Sequence, residues 1–348
     1  MKNWDEKLQK LQQDNKIAGL SVAVTDKERL IYSGGFGNDS IERREVPASS
    51  KSLYRIASIT KVVTGLTVMR LAEQGLLDLD KPIKEYVPWL TLSRPEAAEQ
   101  MTLRHLLSHT SGLPVEYVPI GSRDEENLEK SLMEGLPELE LKTLPADGVY
   151  LYSNWGLRLA SYITQCVSGR LFSELADELV LRPLGMNYST FHLCVAATYP
   201  FSLPHELGED GELKVVHRIN ENATRFGSGG LYSNVEDLCK LARFLLNEGK
   251  TDCGELLLKP ESLNEMFKMR VVDPNNPHLK YGLTMQQYSV PGSGQVFYGH
   301  LGNNTPYMGS LWIDRETGYG VATEYNTENF ELRYKIPEMI LAELSEMY

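Results

Sequence analysis

The sequence is poor in cysteine, in basic relative to acidic residues, and in long hydrophobic runs. Its 348 residues include four cysteines, which are far apart and show no metal-ligand spacing, so we expect no disulfide framework. No apolar run approaches the length that spans a bilayer, so no membrane span is expected. The 47 acidic and 35 basic residues give a formal net charge of −12. That charge argues against nucleic-acid binding, which depends on Lys and Arg contacts to phosphate.

Hydrophobic residues make up 42% of the chain, which excludes a mostly disordered chain and is typical of a soluble globular protein. The first residues are charged and polar, and no apolar segment of a signal peptide follows them. A cytoplasmic location is therefore expected. Export is the alternative if a leader segment preceded this sequence.

Strand patterns lie near both ends of the chain, and helical patterns lie between them. Trp4, Leu8 and Leu11 have helical spacing and precede a β-hairpin signature. The predicted strands cover residues 19–25, 30–33, 295–298, 310–314 and 319–325. The predicted helices cover residues 63–74, 103–108, 155–167, 172–181, 235–247 and 330–347. Pro337 lies inside the last pattern, so we expect a kink or a later start there.

This order of elements predicts an α+β fold with one antiparallel sheet that is built from both chain ends and flanked by the terminal helices. Residues 1–60 and 285–348 would form the sheet part, and residues 61–284 a large, mainly helical insert. Together they would form one structural unit with the active site in the cleft between them.

Ser58 and Lys61 are three residues apart where an apolar helical pattern begins, so their side chains would share one helix face. The amine can take the serine proton if burial or a polar partner lowers the pKa of the lysine. The free N–H groups of a helix N-terminus would favour a developing oxyanion. The alternative is that Ser58 caps the helix and Lys61 is solvated.

Tyr152 and Asn154 are two residues apart before another helical pattern, and an extended backbone would point both side chains the same way. A phenol can relay a proton to or from a serine, and an amide can bind a substrate amide or hold a lysine. The alternative is that Asn154 only caps the following helix.

His300 and Gly302 lie at the end of a predicted strand, where small residues let a ligand approach the backbone. His300 could hydrogen-bond a substrate carboxylate or orient the tyrosine. The alternative is a structural histidine. Two other histidines, His105 and His109, have the spacing of zinc ligands on a helix, but no third ligand follows. We therefore expect no metal and no organic cofactor.

The order Ser-x-x-Lys, Tyr-x-Asn and His-x-Gly resembles the serine β-lactamase and penicillin-binding protein superfamily, specifically its class C β-lactamase-like branch. Residues 102–113, TLRHLLSHTSGL, and residues 227–238, GSGGLYSNVEDL, resemble two further segments of that branch. The resemblance runs from about residue 17 to the C-terminus. It implies a β-lactamase/transpeptidase-like fold.

The resemblance also implies roles for the matching residues. Ser58 would be the acylated nucleophile, Lys61 its general base or proton relay, and Tyr152 the group that passes a proton to the leaving group.

For substrate binding, the resemblance implies that Asn154 would hold the amide side chain of the substrate and contact Lys61. His300 and Gly302 would border the site on the sheet side. The backbone N–H groups of Ser58 and Asn303 would form the oxyanion hole.

The third motif departs from the pattern of dedicated class C β-lactamases, which have Lys-Thr-Gly where this chain has His300-Leu301-Gly302. An unperturbed histidine is mostly neutral at neutral pH, so the site is expected to bind the carboxylate of penicillins less well. Related proteins with His-x-Gly include esterases, D-amino-acid peptidases and amidases. The acidic net charge likewise disfavours anionic substrates.

The sequence therefore predicts a serine hydrolase that acts through an acyl-enzyme on an amide or ester bond. One alternative is a D-amino-acid peptidase or carboxylesterase with only weak β-lactam activity. Another is a penicillin-binding or sensing protein that acylates without turnover. The expected partner is a small molecule or short peptide, with β-lactams among the candidates, and the oligomeric state stays open.

Overall fold

The structure is a computed structural model that describes residues 3–115, 121–219 and 221–346. The described strands are β1 (Gly19–Thr25), β2 (Leu30–Gly37), β3 (Tyr54–Arg55), β4 (His205–Leu207), β5 (Leu213–Val215), β6 (Tyr232–Ser233), β7 (Val271–Asp273), β8 (Asn276–Tyr281), β9 (Gln286–Ser289), β10 (Val296–Asn304), β11 (Tyr307–Asp314) and β12 (Tyr319–Tyr325). The described α-helices are α1 (Trp4–Asp14), α2 (Thr60–Glu73), α3 (Pro95–Gln100), α4 (Leu103–Leu107), α5 (Leu128–Gly135), α6 (Asn154–Ser168), α7 (Phe172–Ala176), α8 (Leu193–Ala196), α9 (Phe226–Gly229), α10 (Val235–Leu246), α11 (Pro260–Phe267) and α12 (Leu332–Ser345).

Eight strands form one antiparallel sheet in the order β2-β1-β12-β11-β10-β9-β8-β7. The first strand of the chain therefore pairs with the last, which confirms the prediction of a sheet built from both chain ends. The sheet also includes β7 and β8, which precede residue 285. The sheet strands thus begin earlier in the chain than the predicted boundary, and the division into two parts stays a prediction.

Both faces of this sheet are covered by helices, which explains why β1 and β11 are buried along their whole length. Alternate residues of a strand face opposite sides of a sheet. On the outer face, defined as the side covered by α1 and α12, Val22, Val321 and Tyr325 pack against Ile336 and Ile340. On the inner face, defined as the side covered by α2 and α10, Ala23, Leu311, Ile313 and Ala322 join the larger core.

The pattern-based predictions match β1 and β12 at both ends, but β10 runs from Val296 to Asn304, well past the predicted end at residue 298. Its glycines lack the side chains typical of strands, so the pattern fades where the pairing with β11 continues. The helix predicted over residues 172–181 is α7 followed by a π-helical turn, Asp177–Leu181. Within the described residues, no helix is long and apolar enough to cross a membrane.

The last helix begins at Leu332, later than predicted, and contains Pro337 in its interior. Because proline has no N–H group, the carbonyl of Arg333 loses its helical donor. Trp312 Nε1 on the sheet donates to that carbonyl at 3.3 Å. The helix therefore tolerates Pro337 because the sheet replaces the missing hydrogen bond. The predicted end at Met347 lies outside the described residues.

Candidate active site

Ser58 lies in a tight turn between β3 and α2. Residues Ala57–Ile59 form a 3-10 turn and α2 begins at Thr60, so Ser58 precedes the helix. Ala57 has a φ of 50°, a left-handed conformation that is uncommon outside glycine. Strand β10 passes so close that a Cβ atom on Gly302 would lie 2.7 Å from the carbonyl oxygen of Ile56. Only glycine at position 302 allows the sheet to approach the turn this closely.

Lys61 is fully buried and surrounded by three oxygen atoms. Its Nζ lies 3.0 Å from Ser58 Oγ, 2.8 Å from Asn154 Oδ1 and 2.6 Å from the backbone carbonyl oxygen of Ser228. The alternative of a solvated lysine is wrong. A neutral amine has two N–H donors and one lone pair. The two carbonyl oxygens can take both donors, which leaves the lone pair directed at the hydroxyl of Ser58.

Burial lowers the pKa of Lys61 from 10.5 to about 7. Removing an ammonium ion from water disfavours its charged form, and no carboxylate forms a salt bridge with it among the described residues. A substantial fraction of neutral amine is therefore present at neutral pH. This is the protonation state that a general base needs.

Tyr152 is the second side chain that contacts Ser58 Oγ. Its hydroxyl donates to Ser58 Oγ at 2.8 Å, and its ring centroid lies 4.9 Å from Lys61 Nζ. Burial raises the pKa of Tyr152 well above its ordinary value, although the hydrogen bond with Ser58 acts in the opposite direction. The side chain is therefore a neutral phenol at neutral pH and can donate a proton near Ser58.

Asn154 is the first residue of α6, and its side chain points to Lys61 rather than to the helix backbone. The helix is capped by Ser153, whose Oγ accepts from the backbone N–H of Gly156 at 3.2 Å. The alternative that Asn154 is the cap is therefore wrong. Because Ser153 satisfies the helix end, the amide of Asn154 is available to hold the lysine.

His300 is buried on β10, and both of its ring nitrogens have protein partners. Nδ1 lies 2.7 Å from the carbonyl oxygen of Leu301, and Nε2 lies 2.9 Å from the hydroxyl of Tyr281. Burial, with help from the nearby Lys61 charge, lowers the pKa of His300 to about 3. The ring is therefore neutral, with Nδ1–H donating to the carbonyl and Nε2 accepting from Tyr281. The tyrosine that His300 hydrogen-bonds is Tyr281, and the ring centroid of His300 also lies 6.5 Å from that of Tyr152. A contact with a substrate carboxylate stays a prediction.

Gly302 and Asn303 follow on the same strand. Gly302 touches the nucleophile turn, as described above, and Asn303 is exposed and lines the pocket beside Ser58. The structure thus brings the predicted oxyanion-hole residues to the two sides of one pocket. Their backbone N–H roles stay a prediction.

The pocket next to Ser58 has a volume of about 200 Å³. It is also lined by three arginines that no sequence motif indicated. Its described lining includes Ser58, Asn154, Asn303, Arg55, Arg158 and Arg225. A sequence signal existed for Arg158, because it lies four residues after Asn154 and so shares its helix face. Arg55 and Arg225 come from separate segments, for which the sequence offers no such signal.

His105 and His109 have structural contacts. His105 Nδ1 lies 3.0 Å from Thr102 Oγ1 in the capping box of α4. His109 Nδ1 accepts from the backbone N–H of Ser153 at 3.0 Å, and its ring packs on Tyr152 with centroids 4.3 Å apart. Among the residues that the structure describes, no group of three or more His, Cys, Asp or Glu side chains could hold a metal ion.

The Beta-lactamase family profile matches residues 4–343 of this chain. A curated relative, Protein flp of Staphylococcus aureus (strain MW2), is 28% identical over 319 residues. The aligned region covers 90% of this chain and 60% of Protein flp, so this chain spans less than two thirds of that relative.

Two solved structures are also similar to this one. The octameric penicillin-binding protein homologue from Pyrococcus abyssi is 26% identical, with a TM-score of 0.77 over 93% of this chain and 73% of that chain. The D-amino acid amidase from Ochrobactrum anthropi SV3 is 21% identical, with a TM-score of 0.79 over 98% of this chain and 97% of that chain. The second likeness supports the shared fold alone.

Proposed function

Because the chain belongs to the β-lactamase family, we propose that it is a serine hydrolase that cleaves an amide or ester bond through an acyl-enzyme on Ser58. The observation that carries this proposal is the position of Ser58 Oγ within hydrogen-bond distance of two groups. These are Lys61 Nζ at 3.0 Å and the Tyr152 hydroxyl at 2.8 Å. A nucleophile between a base and an acid is the arrangement that acyl transfer needs.

In acylation, neutral Lys61 takes the proton of Ser58 while Oγ forms a bond to the substrate carbonyl carbon. The carbonyl oxygen becomes an oxyanion, which the backbone N–H groups of Ser58 and Asn303 would stabilise. Each such donor contributes about 3 kcal/mol in hydrolases where it has been removed.

When this intermediate collapses, the bond between the carbonyl carbon and the leaving nitrogen or oxygen breaks. The leaving atom takes a proton from the Tyr152 hydroxyl, and Tyr152 regains a proton from the Lys61 ammonium. Lys61 returns to its neutral form, and the acyl group stays on Ser58.

In deacylation, a water molecule attacks the ester carbon of the acyl-enzyme. Its proton passes to Lys61 and then to Ser58 Oγ as the bond between Oγ and the carbonyl carbon breaks. The products are a carboxylic acid and the regenerated serine, so the net reaction consumes one water per bond cleaved. No step needs a metal or organic cofactor.

The neutral His300 gives the substrate preference within this class. The sheet side of the site lacks the cation of a Lys-Thr-Gly motif, so we propose an amidase, D-amino-acid peptidase or esterase with at most weak β-lactamase activity.

A substrate panel tests the proposal. Nitrocefin, 4-nitrophenyl esters and D-amino-acid amides would be offered to the protein and to Ser58→Ala. We expect hydrolysis of at least one ester or amide, with nitrocefin slower and all activity lost in Ser58→Ala. The matched control is Ser50→Ala, because the hydroxyl of Ser50 bonds to Glu236 and does not line the pocket. Full hydrolysis by Ser58→Ala would overturn the proposal, and a stable adduct without product would favour the non-turnover alternative.

A further inference from the structure

His109 follows α4, packs against Tyr152 and is fully buried. Its backbone has a φ of 59°, a left-handed conformation that few residues other than glycine adopt. A residue stays in this conformation only where the surrounding structure imposes it, and such positions cluster at functional sites. His109 is therefore a candidate for a role beyond packing.

The neutral ring of His109 leaves a buried donor unpaired. Nδ1 accepts a hydrogen bond from the backbone N–H of Ser153 at 3.0 Å, so Nδ1 carries no proton. Burial, with smaller contributions from Lys61 and His300, lowers the pKa of His109 well below its ordinary value, so the ring is neutral and its proton is on Nε2. Nε2 is buried and has no hydrogen-bond partner among the described residues. An apolar ring would avoid this unpaired donor, which indicates that the position requires the acceptor Nδ1.

His109 holds the segment that carries Tyr152 by two hydrogen bonds. Residues 151–153 have no regular secondary structure, so no helix or sheet pairing fixes their backbone. The carbonyl oxygen of His109 accepts from the backbone N–H of Leu151 at 2.8 Å, and Nδ1 accepts from that of Ser153. The two bonds thus flank Tyr152 along the chain. Without Nδ1, the N–H of Ser153 would be buried without a partner, and the segment would shift to satisfy it.

The His109 ring also packs between Tyr152 and the sheet. Its centroid lies 4.3 Å from that of Tyr152 and 4.6 Å from that of Tyr281. Tyr281 is in turn hydrogen-bonded to His300 on β10. This packing places the Tyr152 ring relative to the sheet, and the Tyr152 hydroxyl lies 2.8 Å from Ser58 Oγ.

We propose that His109 is a positioning residue for Tyr152, whose hydroxyl it holds against Ser58 by accepting the N–H of Ser153. This inference rests on the proposed hydrolase function and deepens it, because Tyr152 is the proton donor to the leaving group there. A proton donor has to lie within hydrogen-bond reach of the leaving atom, and a misplacement of about 1 Å can lower a rate about a hundredfold. The effect of His109 should therefore grow with the need of the leaving group for a proton.

Two esters that share the acyl group of the best substrate in the panel test the proposal. The 4-nitrophenolate of the first ester is stable enough to leave as an anion, whereas the ethoxide of the second needs a proton. His109→Phe keeps a ring but has no acceptor. We expect it to lower kcat/KM for the ethyl ester about thirtyfold or more and that for the 4-nitrophenyl ester about threefold or less. Equal losses for the two esters, or no loss, would overturn the proposal.

His109→Asn is the conservative variant, because its amide oxygen can take the place of Nδ1 and asparagine tolerates a left-handed backbone. It should keep kcat/KM for the ethyl ester within about fivefold of the unaltered protein, and a loss as large as that in His109→Phe would contradict the proposal. If circular dichroism shows that His109→Phe is misfolded, His109→Gln decides. Its amide oxygen takes the place of Nε2 rather than Nδ1, so its losses should equal those expected of His109→Phe.

His105→Phe is the matched control. Nδ1 of His105 likewise accepts a backbone N–H, that of Thr102 at 3.2 Å, but His105 is not among the residues that line the pocket beside Ser58. For both esters, kcat/KM per folded molecule should stay within about twofold. A leaving-group dependence in His105→Phe like that in His109→Phe would show that the effect is not specific to His109.

A double-mutant cycle tests whether His109 acts through Tyr152. In a protein that already carries Tyr152→Phe, the further change His109→Phe should lower kcat/KM for the ethyl ester by about twofold or less, because the proton donor is already absent. Losses that multiply would mean that His109 acts independently of Tyr152 and would overturn the proposal.

Crystal structures separate this inference from the proposed function. We expect the Tyr152 hydroxyl to lie within hydrogen-bond distance of Ser58 Oγ in the unaltered protein and in His109→Asn, and beyond that distance in His109→Phe. This result would support the positioning role even if no ester is hydrolysed. An unmoved hydroxyl in His109→Phe would contradict it even if esters are hydrolysed through Ser58.

Discussion

The two faces of the central sheet are both buried, yet they carry different side chains. On the outer face, the terminal helices pack on a mainly apolar layer that includes Leu301, Trp312 and Val321. On the inner face, neighbouring positions of the same strands carry His300, Gly302 and Glu324. The outer face thus mainly stabilises the fold by packing. The inner face is less tightly filled, because it carries polar groups and leaves space beside Ser58.

The inner face is also where buried charge is costly. Gly302, Gly309 and Glu324 lie opposite one another on β10, β11 and β12, and a Cβ atom on Gly309 would come within 2.4 Å of the Glu324 carboxyl group. Glu324 is fully buried, and neither of its oxygens has a hydrogen-bond partner in the described structure. Lys61 is buried to the same degree but has three oxygen neighbours. Burial shifts the pKa of both groups. Only Lys61 lies beside Ser58, where a shifted pKa can serve catalysis.

The largest expected effect comes from removing the base on the inner face. Lys61→Met should lower kcat/KM by about a thousandfold, because no other amine reaches Ser58 Oγ among the described residues. Steady-state kinetics on the best ester of the panel measures it. Lys51→Met removes an exposed lysine and should stay within about twofold. Comparable losses in both variants would show that Lys61 has no special role.

A substitution on the outer face should lower the stability of the protein and leave its activity nearly unchanged. Ile340→Ala leaves a cavity between α12 and the sheet, where Ile340 is fully buried. The free energy of unfolding should fall by about 3 kcal/mol, measured by urea denaturation, with kcat per folded molecule nearly unchanged. A large loss of kcat would mean that the two faces are coupled more tightly than the packing indicates.

The pH profile of kcat/KM tests whether neutral Lys61 acts as the general base. Its pKa is lowered to about 7, and the neutral form is the active base, so kcat/KM should rise about tenfold per pH unit below pH 7 and level off above it. Rates from pH 5 to 9 on a substrate that does not titrate measure the profile. A profile that is flat through pH 7 would contradict general-base action by a lysine with this pKa.

Glu324 provides the corresponding prediction for stability. Burial raises its folded pKa well above the ordinary 4.5, so folding retains a proton that the unfolded chain releases as the pH rises above that value. Unfolding free energy should therefore decline, relative to Glu324→Gln, by about 1.4 kcal/mol per pH unit from pH 4.5 up to the raised pKa of the folded protein, and level off above it.

Urea denaturation of both proteins at pH 4, 6 and 8 measures this difference, which should be near zero at pH 4 and favour Glu324→Gln at pH 8. Glu316→Gln, which removes an exposed carboxylate from the turn between β11 and β12, should show no such trend. A pH-independent difference for Glu324→Gln would mean that its carboxyl group ionises normally in the folded protein.

The outer face could be predicted from the sequence more completely than the inner one. The apolar, β-branched composition of residues 19–25 and the strand pattern of residues 319–325 predict β1 and β12 with the observed bounds at both ends. The far half of β10 was missed because His300 and its neighbouring glycines serve the site and break that pattern.

The same contrast holds within the site. Motif order and spacing predicted Ser58, Lys61, Tyr152 and Asn154, which the structure brings together. The contact of His300 with Tyr281 depends on the register across three consecutive strands, β8, β9 and β10, which no local pattern encodes.

The central claim is that Ser58 becomes acylated, and mass spectrometry of the labelled protein tests it most directly. After exposure to a fluorophosphonate or a β-lactam, proteolytic peptides would be searched for the added mass. The account predicts an adduct on the peptide that contains Ser58, its loss in Ser58→Ala and its retention in Ser50→Ala. An adduct that persists in Ser58→Ala, or none on Ser58 with any acylating reagent, would contradict it.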